Sequence, residues 1–483
     1  MSSDSLKISA VKGLLWTFFE KVSAQTVHFV IGIILARLLS PSEFGIIGMI
    51  TIFTALAQTF TDSGLSSALI QKKNCSDADY STIFYFNIVV AVICYGILYM
   101  ASPYIASFYK MPQLNEVTRV VSLSIIISGL TSVQNTKLTK ELRFKEQSIN
   151  SILSMIITGI AGIVLAYAGF GVWALVAQVL LGKVFSSLCV WSISKWMPKI
   201  EFSKESFIQM WGFGSKILVS SLINTIYSNI YTLVIGKAFS PQDVGYYNRG
   251  NQYALLPGSV IQNVALKVNY PLLAKIQDDD ERLLRAYQKM TSLPFYVLFP
   301  ILVGMAVTAP SLIPVMIGDK WQPCVPMMQI LCIGYMFSPL THFNLNLLYV
   351  KGRTDLVLKL ELIKKPIGFI ILFASIPTGI IGMIVGKAVY EFIAFSFNCY
   401  YTGKILNFGE LKQLKVLVPI ILNCMCMALV VHFTMMIGNS NIAKLCIGVV
   451  SGIFSYILFS LLTKDENLIE IITILRSYMK KRT

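Results

Sequence analysis

Several charged side chains lie inside long apolar stretches of this sequence, where a charge is energetically costly. Lys183 lies roughly 18 Å into one stretch, counted at about 1.5 Å per helical residue, which is close to the middle of a bilayer. Lys387 and Glu391 lie roughly 12 and 18 Å into a second stretch. A cation at the bilayer centre costs about 2.5–3.5 kcal/mol on insertion scales, so these three residues are candidates for function.

The balance of these charges favours an anionic ligand. Ammonium groups bind phosphate-like anions, and lysines outnumber glutamates in the apolar stretches. We predict a cationic cavity in which Lys21, Lys183 and Lys387 bind the substrate. Glu20 and Glu391 are candidates for binding a coupling proton or sodium ion. The lysines in the stretches are Lys21, Lys183, Lys216, Lys364, Lys365 and Lys387, and the glutamates are Glu20, Glu361 and Glu391.

Structural roles for the same side chains stay open at this point. Lys387 and Glu391 are one helical turn apart and could form an ion pair between packed helices. Lys21 could extend its ammonium to the membrane surface. Asp62 precedes Gly64, and a helix cap is its plainer interpretation. A further group, interpreted as a self-neutralised helix end, consists of Glu361, Lys364 and Lys365.

The composition identifies the kind of body that must position these residues. The chain has 483 residues, 55% of them hydrophobic and 13% charged, with a mean hydropathy of +0.68. Soluble domains are about one quarter charged, and disordered chains are poor in apolar residues, so both classes are excluded. The net charge of +16 lies in short clusters between apolar stretches, so we expect no nucleic-acid partner. Nine cysteines without a CxxC pair predict neither a disulfide framework nor a metal site.

Apolar stretches long enough to cross a membrane follow one another along the whole chain. A crossing helix needs roughly 20 residues. By this measure the sequence predicts an all-α, multi-pass membrane protein with about fourteen transmembrane helices. The predicted helices begin near residues 13, 43, 80, 117, 147, 171, 209, 243, 290, 325, 355, 379, 411 and 441.

The loop charges orient these helices. With the N-terminus in the cytoplasm, 27 of the 40 Lys and Arg residues fall on the cytoplasmic side and 7 on the opposite side. Such a bias in short loops follows the positive-inside rule, so both termini are predicted to be cytoplasmic. Residues 464–483 form an amphipathic basic tail, which lies on the inner leaflet as a helix or is a frayed end.

A sequence repeat divides the chain. Residues 36–45, Ala-Arg-Leu-Leu-Ser-Pro-Ser-Glu-Phe-Gly, recur as Gly-Lys-Ala-Phe-Ser-Pro-Gln-Asp-Val-Gly at residues 236–245. A weaker match pairs residues 171–175 with residues 379–383. Both copies of the first segment have a cation before Ser-Pro and an acid after it, which is typical of a tight turn into a helix. We expect the turns that contain Arg37 and Lys237 to lie near an outer gate.

The repeat predicts two pseudo-symmetric lobes of six helices each. Residues 1–200 form the N-terminal lobe and residues 201–410 the C-terminal lobe, while residues 411–463 add two helices outside the repeat. An even number of helices per lobe makes the repeat parallel. Lobes of this kind around a central cavity are typical of alternating-access transporters.

Short motifs along nearly the whole chain carry a family resemblance. The sequence resembles the polysaccharide transporter family of the multidrug/oligosaccharidyl-lipid/polysaccharide exporter superfamily, and within it the Wzx-type O-antigen and colanic acid exporters. The motifs are the segment at residues 36–45, Thr61-Asp62-Ser63-Gly64-Leu65, Leu138-Thr139-Lys140-Glu141-Leu142-Arg143-Phe144, Gly245-Tyr246-Tyr247, Pro257, Pro271-Leu272-Leu273 and Gly318-Asp319-Lys320-Trp321.

The resemblance implies a flippase of the bacterial inner membrane. Its substrate would be an undecaprenyl-pyrophosphate-linked oligosaccharide, moved to the outer leaflet for O-antigen, capsule or exopolysaccharide synthesis. It implies a cationic central cavity and an ion gradient or membrane potential as the energy source, with no cofactor. The expected partners are the lipid-linked oligosaccharide, membrane lipids and the polysaccharide polymerase machinery, and the chain is expected to be a monomer.

Other functions remain as alternatives. A multidrug exporter of the same superfamily would be expected to have an acidic interior, whereas this one is basic. A membrane glycosyltransferase or polymerase needs catalytic groups beside a water-exposed site, and no predicted outer loop carries an Asp/His cluster. We therefore expect the protein not to be an enzyme. A flippase of murein precursors is a further possibility.

Overall fold

The computed structural model describes residue 23, residues 25–62 and residues 64–480. Every regular element within these residues is a helix, so the all-α prediction is confirmed. The chain divides into two compact units, Met1–Gly245 and Tyr246–Thr483. The lobe boundary near residue 200 is predicted from the sequence repeat and not from compactness, and it stays a prediction.

The first unit contains the helices before Gly245. It consists of α1 (Gln25–Leu38), α2 (Pro41–Asp62), α3 (Leu65–Gln71), α4 (Asp77–Tyr109), α5 (Gln113–Val121), α6 (Leu123–Lys140), α7 (Phe144–Tyr167), α8 (Val172–Ser194) and α9 (Lys204–Ala238).

The second unit begins within the next helix. It consists of most of α10 (Pro241–Ala274), then α11 (Asp280–Ile317), α12 (Cys324–Gly334), α13 (Ser338–Val350), α14 (Thr354–Ser375), α15 (Gly379–Leu406), α16 (Glu410–Met435), α17 (Asn441–Leu462) and α18 (Glu466–Lys480). Short 3₁₀ turns cover Asp319–Trp321 and Ile376–Thr378.

Eleven stretches of the described residues are long and apolar enough to cross a membrane. Four of them contain two successive helices, and one of these four, Thr354–Leu406, is 53 residues long. Helix α10 is not among the eleven. The helix predicted to begin near residue 13 starts outside the described residues. The multi-pass membrane architecture is therefore confirmed, and the exact number of fourteen stays a prediction.

Aromatic packing and a capping box organise one end of the first unit. Phe84 of α4 packs edge-on against Trp191 and Trp196, with ring centroids 5.8 and 6.0 Å apart. At the start of the same helix, the Ser76 hydroxyl accepts from the amide of Asp79, and the Asp79 carboxylate accepts from the amide of Ser76. These two bonds satisfy amides that a helix N-terminus leaves without partners.

A buried amide pair joins helices of the second unit. The side-chain amides of Asn344 in α13 and Gln413 in α16 donate to each other's oxygen, at 3.1 and 2.8 Å. Gln413 also donates to the main-chain oxygen of Phe408 and accepts from the thiol of Cys399. Buried polar groups need such partners, so these bonds fix how α16 packs against the unit.

The C-terminal segment is helical, as one of the two predictions for the tail expected. Helix α18 contacts α11 through an ion pair of 3.0 Å between Lys289 and Glu470. Its placement on a membrane leaflet stays a prediction.

Candidate functional site

The first unit contains a polar cavity of about 570 Å³. Hydroxyl and amide side chains dominate its lining. Among the described residues that line it, Lys183 is the one cation and Asp62 the one carboxylate. The lining consists of Gln58, Thr59, Asp62, Gly64, Ser66, Ser67, Ile70, Ser128, Thr131, Ser132, Asn135, Thr136, Thr139, Lys183, Ile217 and Ser221.

Lys183 lies on α8 with its side chain exposed to this cavity. The sequence placed it near the bilayer midplane, and the structure surrounds it with polar groups of several other helices. Its ammonium interacts electrostatically with the Asp62 carboxylate. A cation in a concave site lined by hydrogen-bonding groups can bind an anion and orient the rest of the ligand.

The structure corrects the interpretation of Asp62 as a helix cap. Its carboxylate accepts from the side-chain amide of Gln58, one turn back on α2, at 3.3 Å, and it lines the cavity. Among the described residues, no side chain caps the start of α3 at Gly64. Gly64 itself has a φ of 67°, a left-handed conformation that glycine adopts readily, and this breaks the helix beside the cavity. Asp62 is therefore a residue of the site.

Hydroxyl pairs hold the walls of the cavity together. Thr59 of α2 lies 3.0 Å from Thr225 of α9, oxygen to oxygen. Ser66 of α3 lies 3.1 Å from Ser132 of α6. Each hydroxyl keeps further donor or acceptor capacity, because a hydroxyl has one proton and two lone pairs. The walls can therefore form many hydrogen bonds with a ligand that is rich in hydroxyl groups, and they can do so without a large change in structure.

Lys387 of α15 lies in a different setting, inside the second unit. Its Nζ donates to the Tyr247 hydroxyl at 2.7 Å and to the Asn251 side-chain oxygen at 3.0 Å. The same Nζ lies 5.1 and 5.4 Å from the ring centroids of Tyr247 and Tyr335. Tyr335 in turn donates to the side-chain oxygen of Asn251. We call Tyr247, Asn251 and Tyr335 the ammonium cage.

A chain of charges continues from the ammonium cage. Glu391, one turn after Lys387 on α15, interacts electrostatically with both Lys387 and Lys364, and the Ser338 side chain lies beside its carboxylate. Lys364 pairs with Glu361 at 2.8 Å and is only 3% exposed. The pairing of Glu361 with Lys364 agrees with the sequence interpretation of a self-neutralised helix end. That interpretation did not predict that Lys364 is buried.

Sequence reasoning missed the ammonium cage and the burial of Lys364. A signal existed for part of the cage, because Tyr247 ends the motif Gly245-Tyr246-Tyr247 and Asn251 follows it by one helical turn on the same face. Tyr335 could not be found in this way, since it lies at the end of α12, far away in the sequence.

The remaining predicted site residues lie elsewhere. Glu20 and Lys21 fall outside the described residues. Arg37 and Lys237 are exposed at the ends of α1 and α9, where Lys237 donates to the main-chain oxygen of Phe108 at 2.6 Å. Within the described part of the chain, no group of three His, Cys, Asp or Glu side chains is placed to hold a metal ion.

The repeated turns have the same local structure. In the first copy, the Glu43 carboxylate accepts from the amide and the hydroxyl of Ser40, at 2.6 and 2.9 Å. In the second, the Asp243 carboxylate accepts from the amide and the hydroxyl of Ser240, at 3.1 and 2.7 Å. The Ser-Pro-x-acid pattern thus closes the same hydrogen-bonded turn twice.

Comparisons with known proteins agree with the resemblance seen in the motifs. A family model described as "Polysaccharide biosynthesis protein" matches residues 34–326. The teichuronic acid biosynthesis protein TuaB of Bacillus subtilis strain 168 is 27% identical over 380 residues, which cover 78% of this chain and 78% of the relative. The lipopolysaccharide biosynthesis protein WzxC of Escherichia coli K12 is 25% identical over 386 residues, covering 78% and 76%.

A solved structure has the same fold over almost its whole length. It is that of the lipid II flippase MurJ in an inward closed conformation, with a TM-score of 0.76. The alignment covers 94% of this chain and 99% of the other, at 15% sequence identity. This likeness shows the fold.

Proposed function

The chain belongs to the family of polysaccharide biosynthesis proteins, and we propose that it is a flippase for lipid-linked oligosaccharides. In this proposal it moves undecaprenyl-pyrophosphate-linked oligosaccharide units across the bacterial inner membrane, for the synthesis of a surface polysaccharide. The names of the relatives concern teichuronic acid and lipopolysaccharide biosynthesis, and MurJ is a lipid II flippase. These names support a transporter of a lipid-linked glycan rather than an enzyme.

The observation that carries the proposal is the chemistry of the cavity in the first unit. A lipid-linked glycan joins an anionic pyrophosphate to sugars that are covered with hydroxyl groups. The cavity offers the ammonium of Lys183 to the anion and the surrounding hydroxyl and amide side chains to the sugars. The prenyl tail stays in the lipid, because its transfer to water would cost free energy.

Alternating access is the mechanism that we propose for this site. The headgroup enters from the cytoplasmic side, contacts Lys183 and leaves towards the outer side, with Lys21 as a further predicted contact. Both termini lie in the cytoplasm in this orientation, as the loop charges predict. The turns that contain Arg37 and Lys237 then form the outer gate.

Coupling to an ion would involve the carboxylates. Glu391 is the candidate among the described residues, because it interacts electrostatically with both Lys387 and Lys364 and with the Ser338 side chain. A proton or sodium ion on Glu391 would neutralise its charge beside Lys387 and Lys364, and we propose this change as the step that couples the ion to transport. Glu20 stays a sequence prediction for the same role. The proposal includes neither a cofactor nor a partner subunit, and the polymerase machinery would receive the product.

Export of a surface glycan by variants at Lys183 tests the proposal. In a strain that depends on this protein, Lys183→Ala should reduce the surface glycan at least tenfold, and Lys183→Arg should retain part of it because the charge remains. Lys204→Ala is the matched control, since Lys204 is an exposed lysine at the start of α9. The amount of each variant in the membrane must be equal.

Full export by Lys183→Ala at a normal protein level would contradict the proposal. A strain that lacks this protein distinguishes the flippase proposal from the alternative functions that the sequence left open. A multidrug exporter predicts sensitivity to cationic dyes with normal surface glycan, and a flippase of murein precursors predicts loss of viability.

A further inference from the structure

The ammonium of Lys387 occupies a site that is built like a receptor for a small cation. Two oxygen atoms, Tyr247 Oη and Asn251 Oδ1, accept from its Nζ at 2.7 and 3.0 Å. The rings of Tyr247 and Tyr335 lie beside the same nitrogen, with centroids at 5.1 and 5.4 Å, and Tyr247 contacts it through its hydroxyl. A buried cation needs oxygen acceptors of this kind, and the same oxygen atoms can accept from a free ammonium or alkylammonium ion.

The surroundings keep this site in place without the lysine. Tyr247 and Tyr335 are 3% and 5% exposed, so the two rings are fixed by packing. Asn251 Oδ1 accepts from Tyr335 as well as from Lys387, which sets the direction in which the amide points. Glu391 lies one turn further along α15 and adds a negative charge that interacts with Lys387.

We propose that the ammonium cage is a monovalent-cation site in which Lys387 is the resident ion, tethered to α15. A mobile cation would bind to the same oxygen atoms and would leave when the protein changes conformation. The tethered ammonium remains attached to α15. Two of its three protons are already directed at Tyr247 and Asn251, so this lysine binds acceptors of its own unit rather than the substrate's anion.

This assignment deepens the flippase proposal and, in its consequence for transport, rests on it. If the protein is a flippase, the second unit needs no sodium ion at the ammonium cage, because the Lys387 ammonium already supplies the positive charge that interacts with Glu391. The role differs from the substrate contact that the sequence suggested for Lys387. The binding property itself can be measured without any transport.

Chemical rescue of a truncated lysine tests the assignment. Lys387→Ala removes the side chain beyond Cβ and leaves space for n-propylammonium, whose charge and length match what was removed. The purified full-length protein in detergent is titrated with n-propylammonium chloride, with n-propanol as the uncharged probe, and its Tm is recorded. We expect a saturable rise of about 2 °C or more in Lys387→Ala, none with n-propanol, and none in the wild-type protein.

A second variant keeps the assignment testable if Lys387→Ala does not fold. Lys387→Met retains most of the side-chain length and leaves space for the head group alone, so ammonium chloride is its probe. Adding Asn251→Ala to either variant should abolish the response, because one of the two oxygen acceptors is lost.

Three outcomes would overturn the assignment. One is the absence of any response to the cation in both variants. Another is an equal response in the wild-type protein, which would place the effect outside the cage. The third is stabilisation of the wild-type protein by inorganic pyrophosphate that is lost in Lys387→Ala and not in Lys183→Ala, which would make Lys387 the anion contact. None of these results depends on glycan export, so failure of the flippase proposal would be recognised separately.

Discussion

Gly45 lies directly against the main-chain carbonyl group of Pro241. A β-carbon added to Gly45 would coincide with that carbonyl, and a β-carbon on Gly245 would meet the carbonyl of Pro41 in the same way. The two copies of the repeated turn therefore contact each other reciprocally within the first unit. The position 200 residues along the sequence makes the same contact from the other side, as expected for two segments related by a pseudo-twofold axis.

Gly45→Ala and Gly245→Ala should each separate these turns. Overpacking of a close contact costs about 1–3 kcal/mol, which outweighs the gain of up to about 1 kcal/mol that alanine brings to a helix. We expect a lower Tm and reduced surface glycan for both variants. Gly96→Ala is the matched control, because a β-carbon there meets no atom within 4 Å, and it should be neutral or stabilising.

A Tm for Gly45→Ala equal to that of Gly96→Ala would show that the turns do not form this contact in the protein. If the turns act as the outer gate, Gly45→Ala should also raise the reactivity of a cysteine placed at Ser42 towards an impermeant thiol reagent added from outside.

Asp62 and Lys183 should affect anion binding in opposite directions. Asp62→Asn removes the carboxylate that interacts with Lys183 in the cavity, so a bound pyrophosphate would experience less repulsion. We expect the affinity for a soluble pyrophosphate-linked sugar to rise about two- to fivefold, since an exposed charge pair contributes up to about 1 kcal/mol. Lys183→Met should lower it. Calorimetry on the purified protein measures both, and weaker binding by Asp62→Asn would argue against a shared anion site.

The amide pair of Asn344 and Gln413 should be a strong point of the second unit. Gln413→Ala removes the donor to Asn344 Oδ1 and the hydrogen-bond partner of Cys399 and of the Phe408 oxygen, whereas Asn344 Nδ2 keeps its bond to the main-chain oxygen of Leu340. We expect the free energy of unfolding to fall by at least about 1–3 kcal/mol, the cost of leaving one buried polar group without a partner. Lys415→Ala, an exposed change on the same helix, should have little effect on the Tm in the same denaturation experiment.

Lys364 should stabilise the protein mainly through its ion pair with Glu361. Lys364→Met leaves the Glu361 carboxylate without its partner at 2.8 Å and should destabilise the protein by about 1–3 kcal/mol, below the range for fully buried pairs because Glu361 is half exposed and also contacts Lys365. The double variant Lys364→Met/Glu361→Gln should recover part of that loss in a double-mutant cycle. Lys359→Met serves as the exposed control on α14. Strict additivity of the two changes would mean that the ion pair contributes nothing.

Local patterns in the sequence predicted the helices well because each pattern acts over a few neighbouring residues. The predicted starts near residues 80, 171, 379, 411 and 441 lie within a few residues of the helices at Asp77, Val172, Gly379, Glu410 and Asn441. Apolar length decides which segments can cross a membrane, and Ser-Pro followed by an acid closes a turn whatever surrounds it. The family resemblance rested on such motifs and is confirmed.

The surroundings of each charge could not be predicted, because they are set by residues far apart in the chain. Lys387 was identified from its depth in an apolar stretch, but its partners come from α10 and the end of α12, 140 residues away in the case of Tyr247. Asp62 reads as a cap from its neighbours in sequence, whereas the bend at Gly64 and the position of α8 bring it into a cavity with Lys183.

The sequence alone thus determined a multi-pass helical protein, its repeated turns and the lysines worth testing, since hydropathy and turn chemistry are local properties. Only the tertiary structure decided which of those lysines is open to a ligand and which is already bound. Lys183 is exposed in a polar cavity, and Lys387 donates hydrogen bonds to Tyr247 and Asn251 beside the ring of Tyr335. The physical reason is that the role of a charge in a membrane protein depends on the groups that surround it after folding. Those groups come from distant parts of the sequence, so the residues next to the charge do not predict them.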